Sequence, residues 1–416
     1  MKHAYLLLAA LVCIAACSEK DSFDKRFTGE GLRIDYYACG DRNSETAELI
    51  SLSRTPLWAG PHANLVETEL GNYRIMMTDK RSGDTLYVSG FSTLFSEWRT
   101  TAEALTKTER YYSSKTVPMP KNPANVVIEC RDNHTMEFSA IGCFDIEPSE
   151  IKACEAKAND VTEIQINGDC THKVDLAFIA EGYTSADKDK FVADAKRFTD
   201  ALFACPPFDK HQDDFNVRAV MVASEESGTD LPGLGIWKNT AMNSNFYTFG
   251  TDRYLTTADM KPVADAVWDV PADAVFILVN EERYGGGGIY NFYAIGTSDN
   301  PRTLSVFVHE FGHSFGALAD EYFESSTAYE EGAMYDIKVE PWEHNITTLV
   351  DFDSKWKSWH EGLYEGGGYL AKGIWRPEDH CMMRDYHPFC PVCCRAIEEN
   401  INFLCDRPLP LEFPEN

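Results

Sequence analysis

Positive charge is scarce in this chain. In 416 residues, 38 Lys and Arg stand against 66 Asp and Glu, a formal charge of −28. No run of Lys or Arg offers the basic face that a phosphate backbone needs, which argues against a nucleic-acid partner. Long hydrophobic runs are missing too. The first apolar stretch, Ala4 to Ala16, is too short to span a bilayer, and no later stretch approaches the roughly 18 apolar residues of a membrane helix. No internal repeat is apparent. What is present is core material. With 44% hydrophobic and 12% aromatic residues, wholesale disorder is excluded, and the length suits two or three domains.

The opening residues read as an address. Lys2 and His3 precede the Ala4–Ala16 run, which has the shape of a signal-peptide core and ends Ile14-Ala15-Ala16-Cys17. That ending resembles a bacterial lipoprotein cleavage box. It implies removal of residues 1–16, lipidation of Cys17, and Ser18-Glu19-Lys20-Asp21 as a hydrophilic tether. The expectation is an exported lipoprotein of the cell envelope or cell surface, touching membrane only through its N-terminal lipid. Of thirteen cysteines, removing Cys13 and Cys17 leaves eleven. An odd number leaves at least one free thiol or metal ligand.

Residues 17–160 read as a β-rich domain. Asn72–Met77, Thr85–Val88, Asn125–Cys130 and Thr135–Ala140 are short strand-like runs separated by turn signals, a spacing that suggests a sandwich. No catalytic constellation stands out there, so a structural or substrate-orienting role is expected. Residues 161–416 change character. Lys173–Ala180, Phe215–Ala223 and Ala274–Asn280 are continuous apolar strands, and Asp187–Phe203 carries Phe191, Ala195, Phe198 and Leu202 at helical spacing before Pro206-Pro207. This is an α/β pattern. The fold class expected overall is α+β or α/β.

The chemistry concentrates in Thr303–Gly316, which contains His309-Glu310-Phe311-Gly312-His313. On a helix the two histidines are four apart on one face, so both imidazoles reach one Zn²⁺ at about 2.0–2.1 Å. Glu310 is turned toward the adjoining face, placed to accept a proton from water without itself binding metal. The apolar lead-in Leu304–Val308 predicts a buried helix, and Gly316 is the expected point of a sharp break. His309-Glu310-x-x-His313-x-x-Gly316 resembles the metzincin pattern, which implies a third ligand beyond the glycine. Its usual position is Ala319, which cannot coordinate, whereas Asp320 one residue later offers a hard oxygen and Glu321 competes with it; the carboxylate left over would orient a ligand histidine or a backbone amide.

The stretch from His309 through Asp320-Glu321-Tyr322 resembles the IgA metalloendopeptidase family of bacterial zinc peptidases. The resemblance implies a β-rich N-terminal domain followed by a metzincin-like zinc peptidase domain. It implies His309, His313 and Asp320 as zinc ligands and Glu310 as general base. It also implies a methionine turn beneath the metal, for which Met383 in Cys381-Met382-Met383 is preferred over Met382, and Tyr386 as a candidate oxyanion donor. Core packing is the alternative role for either methionine, and an ordinary surface or core tyrosine is the preferred reading of Tyr386.

Two further features are weighed beside these. Cys381, Cys390, Cys393 and Cys394 form either disulfides, the preferred reading in an exported chain, or a structural zinc site completed by a thiolate or His387. The glycines of Tyr284–Gly288 form either a flexible turn or a cleft rim, with Ile289–Ala294 as an edge strand for an extended peptide. Gly366–Gly368 is read as a loop without chemistry.

The expected activity is zinc-dependent hydrolysis of peptide bonds in extracellular proteins by a monomer. Two alternatives stay open: a zinc amidohydrolase acting on a non-protein substrate, and a surface lipoprotein that binds zinc and protein without turnover.

Overall fold

Strands with alternating burial build the first half of the protein. The structure is a computed structural model that describes residues 23–408 apart from 325, 326, 331 and 351–354. Cys17 and the leader reading lie outside the described residues. After a short helix α1 (Phe23–Arg26) come β1 (Phe27–Gly40), β2 (Glu45–Thr55), β3 (Tyr73–Asp79), β4 (Thr85–Phe91), helix α2 (Leu94–Trp98), β5 (Glu109–Pro120), β6 (Ala124–Arg131), β7 (Phe138–Ile146) and β8 (Lys152–Ala153). They form two four-stranded sheets, ordered β5-β1-β2-β8 and β4-β3-β6-β7. In β3 every second residue, Tyr73, Ile75 and Met77, is buried, as expected when one face of a sheet meets a core. Those side chains share one apolar cluster with Leu32 and Ile34 of β1 and Val126 and Ile128 of β6, so the sheets pack face to face as a sandwich.

The second half is a mixed α/β unit. Its elements are β9 (Asp160–Gln165), β10 (Val174–Glu181), α3 (Lys188–Phe203), β11 (Phe215–Met221), α4 (Met260–Ala266), β12 (Ala274–Val279), β13 (Gly286–Ile289), β14 (Tyr293–Thr297), α5 (Thr303–Gly316), β15 (Tyr364–Gly367), β16 (Leu370–Arg376), α6 (Met382–Asp385) and α7 (Pro391–Leu404). The main sheet runs β13-β14-β12-β10-β11-β9, parallel except for the antiparallel edges β13 and β9. All eight residues of β10 are buried. Leu176 and Phe178 face a core shared with α3, α5 and α7, while Ala177 and Ile179 face a core shared with α4. A strand covered on both faces must be apolar throughout, which is why this one reads as a continuous run.

Helix α5 is apolar nearly all round, the signature of a buried helix. The break comes one residue later than expected. Gly316 stays helical and Ala317 takes the left-handed conformation (φ 54°), its N–H bonding back to Gly312. A side chain at Gly316 would sit 3.1 Å from Ile397 of α7, so this glycine serves close helix packing rather than the turn.

The glycine-rich segment also departs from expectation. The edge strand is Gly286–Ile289 itself; the chain turns at 290–292, with Asn291 at φ 46°, and returns as the inner strand β14. A Cβ on Gly288 would lie 2.3 Å from the Glu310 carbonyl oxygen and 2.9 Å from His313 Cβ. The glycines let β13 lie directly on α5, at a distance no side chain permits. The turn is gripped by the first domain: Asn291 donates to Gly90 O (2.7 Å), Lys115 Nζ to Asn291 O (2.9 Å), and Ser92 N–H to Tyr290 O (2.9 Å). Among the described residues, no helix is long and apolar enough to cross a membrane.

Candidate active site

Helix α5 runs beneath edge strand β13 and delivers His309, Glu310 and His313 to the floor of a cleft of about 520 Å³. The two imidazoles sit one turn apart, with Nε2 atoms 3.2 Å from each other. The loop after Ala317 brings Asp320 back over them: its Oδ1 lies 3.0 Å from His309 Nε2 and 3.3 Å from His313 Nε2. Three donor atoms therefore converge on one point. Glu310 shares the convergence, its carboxylate within 4.8 Å of both imidazoles.

The surroundings leave those atoms free for a cation. His309 Nδ1 lies 2.9 Å from the Met382 carbonyl and His313 Nδ1 2.6 Å from the Leu318 carbonyl. Protons placed there make Nε2 the lone-pair nitrogen on both rings. Asp320 Oδ2 accepts from the Tyr369 hydroxyl, whereas buried Oδ1 has no hydrogen-bond partner. A buried, orphaned carboxylate oxygen facing two imidazole nitrogens fits a divalent metal. Burial opposes charge on the imidazoles, but the adjacent Asp320 carboxylate prevails, raising His309 and holding His313 at about 9. The cost of burying Asp320 is in turn overcome by His313 and His309, which hold it far below the usual carboxylate range. Burial pushes Glu310 above the ordinary carboxylate value, against the opposing pull of His309 and His313.

The other sequence candidates fall around this point. Glu321 turns away from the imidazoles to accept from Asn345 (2.9 Å). Met383 is fully buried under the helix; a Cβ on Gly312 would lie 2.6 Å from its sulfur. Met382 contributes its carbonyl to His309 instead. Tyr386 lines the cleft, its ring 5.6 Å from that of His309 and its hydroxyl 2.6 Å from that of Tyr284. Cys381, Cys390 and Cys393 gather with Glu321 in a separate buried group, while Cys394 faces the Phe389 carbonyl and His387 pairs with Asp385 at the surface. The disulfide expectation is not met: every cysteine among the described residues is unbridged.

Several participants escaped the sequence reading. Tyr369 follows Gly366–Gly368, the loop read as inert; in the β15–β16 turn, Gly368 N–H donates to the Asp320 carbonyl (2.8 Å) and Tyr369 pins the carboxylate. Asn345 braces the loop after α5 through Ala319 and Glu321. Glu97, from the first domain, lines the cleft and accepts from Tyr254 and Tyr329. None of these carried a signal short of the fold itself.

Two imidazole nitrogens and a carboxylate oxygen that converge within 3.3 Å define a candidate metal centre. Comparison with known families gives it a lineage. The family described as IgA Peptidase M64 matches residues 162–362 and 358–401, and Peptidase M64 N-terminus matches residues 22–140. The chain belongs to the IgA peptidase M64 family, a metallopeptidase family, which implies a metal cofactor. No curated protein matches it.

Proposed function

We propose that this protein is an exported, lipid-anchored zinc endopeptidase of metzincin-like design that hydrolyses peptide bonds of extracellular proteins, held at the membrane through Cys17. The observation that carries the catalytic reading is the convergence of His309 Nε2, His313 Nε2 and the unpartnered Asp320 Oδ1 within 3.3 Å. These three would hold zinc, which supplies charge that polarises a scissile carbonyl and acidifies water. Glu310 takes the proton from the attacking water and passes it to the leaving amine; its raised pKa suits both transfers. The Met382 and Leu318 carbonyls fix ring orientation and tautomer. Met383 fills the space beneath Gly312, keeping the helix turn between the two histidines from settling. Tyr386, held by Tyr284, presents a hydroxyl to the developing oxyanion.

The test is cleavage of a proteome-derived peptide library by metal-loaded protein, beside Glu310→Gln. The variant is expected to keep its metal and lose about 10²- to 10⁴-fold in rate. Metal-loaded protein that cleaves no peptide overturns the reading; turnover of a non-protein amide under the same conditions replaces it with an amidohydrolase.

A further inference from the structure

Behind the candidate active site the chain assembles a second convergence of donors. Glu321, next to Asp320, points its carboxylate away from the imidazoles. Cys381 precedes α6, and Cys390 and Cys393 lie at the start of α7. All four side chains are buried, and one donor atom from each lies within 4.8 Å of the others.

The spacings decide between the chemistries open to such a group. Cys381 Sγ is 3.7 Å from Cys393 Sγ, and Cys393 Sγ is 3.4 Å from Glu321 Oε1. A tetrahedron around zinc, with thiolates at about 2.3 Å and a carboxylate oxygen at about 2.0 Å, has S···S edges of about 3.8 Å and S···O edges of about 3.5 Å. A disulfide requires sulfurs about 2.05 Å apart, and pairing any two of the three would leave a third thiol and a carboxylate buried without purpose. The polar accounting agrees. Glu321 Oε2 is buried with no hydrogen-bond partner. Two backbone amides face sulfur, Cys390 N–H toward Cys381 Sγ (3.4 Å) and Cys393 N–H toward Cys390 Sγ (3.5 Å). Together with Asn345 and the positive end of α7, they offset the excess negative charge that three thiolates and a carboxylate would leave around a divalent ion.

We propose that Glu321, Cys381, Cys390 and Cys393 form a second, structural site for a thiophilic divalent cation, zinc by ligand type. Binding releases to solvent the protons held by the thiols and by the Glu321 carboxyl, and no redox change is involved. The cation joins the segment that carries Asp320 to the one whose Met382 carbonyl orients His309, a junction otherwise made by the Glu321 N–H bond to Met383 O (2.9 Å). It is a positioning site and touches no substrate.

The experiment uses the full chain produced with zinc. Elemental analysis is expected to give two zinc per chain, and a His309→Ala/His313→Ala double variant is expected to keep one. X-ray absorption on that variant is expected to show a sulfur-rich ligand shell with zinc–sulfur distances of about 2.3 Å. Intact-mass measurement after unfolding in chelator and alkylation is expected to find Cys381, Cys390 and Cys393 all as free thiols; this needs no cysteine variant and so survives a folding defect. Double-variant protein that folds without zinc, or a disulfide between any two of the three cysteines, overturns the proposal. Its fate is separate from that of peptide hydrolysis: protein that cleaves nothing yet keeps sulfur-bound zinc in the double variant refutes only the catalytic reading.

Discussion

Tyr369→Phe removes one oxygen atom and tests how the candidate metal centre is held. The Tyr369 hydroxyl is the donor to Asp320 Oδ2, and its backbone is fastened beside the site by Gly368 N–H to Asp320 O (2.8 Å) and Tyr369 N–H to Tyr322 O (3.1 Å). Two effects of the substitution oppose each other. A carboxylate without its donor is more basic, which by itself favours a cation. It is also free to rotate, and a buried Oδ2 has no water to take the place of the lost hydroxyl. A hydrogen bond to a charged group contributes about 1.5–3 kcal/mol, or roughly 10- to 150-fold in affinity, so the orientational loss dominates. The expected result is zinc binding weakened by roughly 10- to 100-fold, the usual range for partners of metal ligands. Chelator-competition titration of the variant and parent at one pH measures this, with the turnover rate at saturating zinc changed far less than the affinity. Equal affinities in a variant that melts like the parent would refute the argument, because they would mean that Asp320 is oriented by something else or does not bind the metal.

Gly288→Ala places a methyl group against the backbone of α5, at 2.3 Å from Glu310 O, where no flexible side chain can give way. Overpacking of this kind costs about 1–3 kcal/mol, lowering the melting temperature by about 2–12 °C. Shifting the helix that carries the three site residues is expected to reduce turnover by up to about 100-fold; an unchanged melting curve and rate would contradict the close strand–helix contact. Glu97 gives a pH prediction. Burial raises its pKa from 4.5 to about 7, against the hydroxyls of Tyr254 and Tyr329. The folded state thus binds this proton more tightly than the unfolded state, and stability falls as pH rises from 4.5 to about 7, then levels. Glu97→Gln is expected to gain on the parent across that window and hold a constant advantage above it; parallel melting profiles from pH 4 to 9 would refute the assignment.

Much of the second domain was legible because its elements are buried on several sides. Strand β10 and helix α5 are apolar almost throughout, so their bounds could be read closely, and His309, Glu310 and His313 came with the helix. The long strands β1, β2 and β5 were missed. In β2, the adjacent apolar residues Leu49 and Ile50 are both exposed and the rest is largely Glu, Thr, Ser and Arg, so no clean two-residue period marks it. Strand β13 looked like a loop because glycine disfavours strands, and only its contact with α5 explains it. Glu321 was legible only as a rival to Asp320. That adjacent carboxylates face opposite sides of one loop, toward imidazoles and toward sulfurs from distant segments, is a tertiary fact.

The clamp on Asn291 makes the two halves of this protein poor candidates for recombination. The strand bordering the cleft inherits its position from Gly90, Ser92 and Lys115, residues of the other domain, and Glu97 completes the cleft wall. A chimera that joins the second half to a relative's first half would keep its donors for the cation but lose the register of the rim, so its defect would surface as altered substrate preference long before any failure to fold.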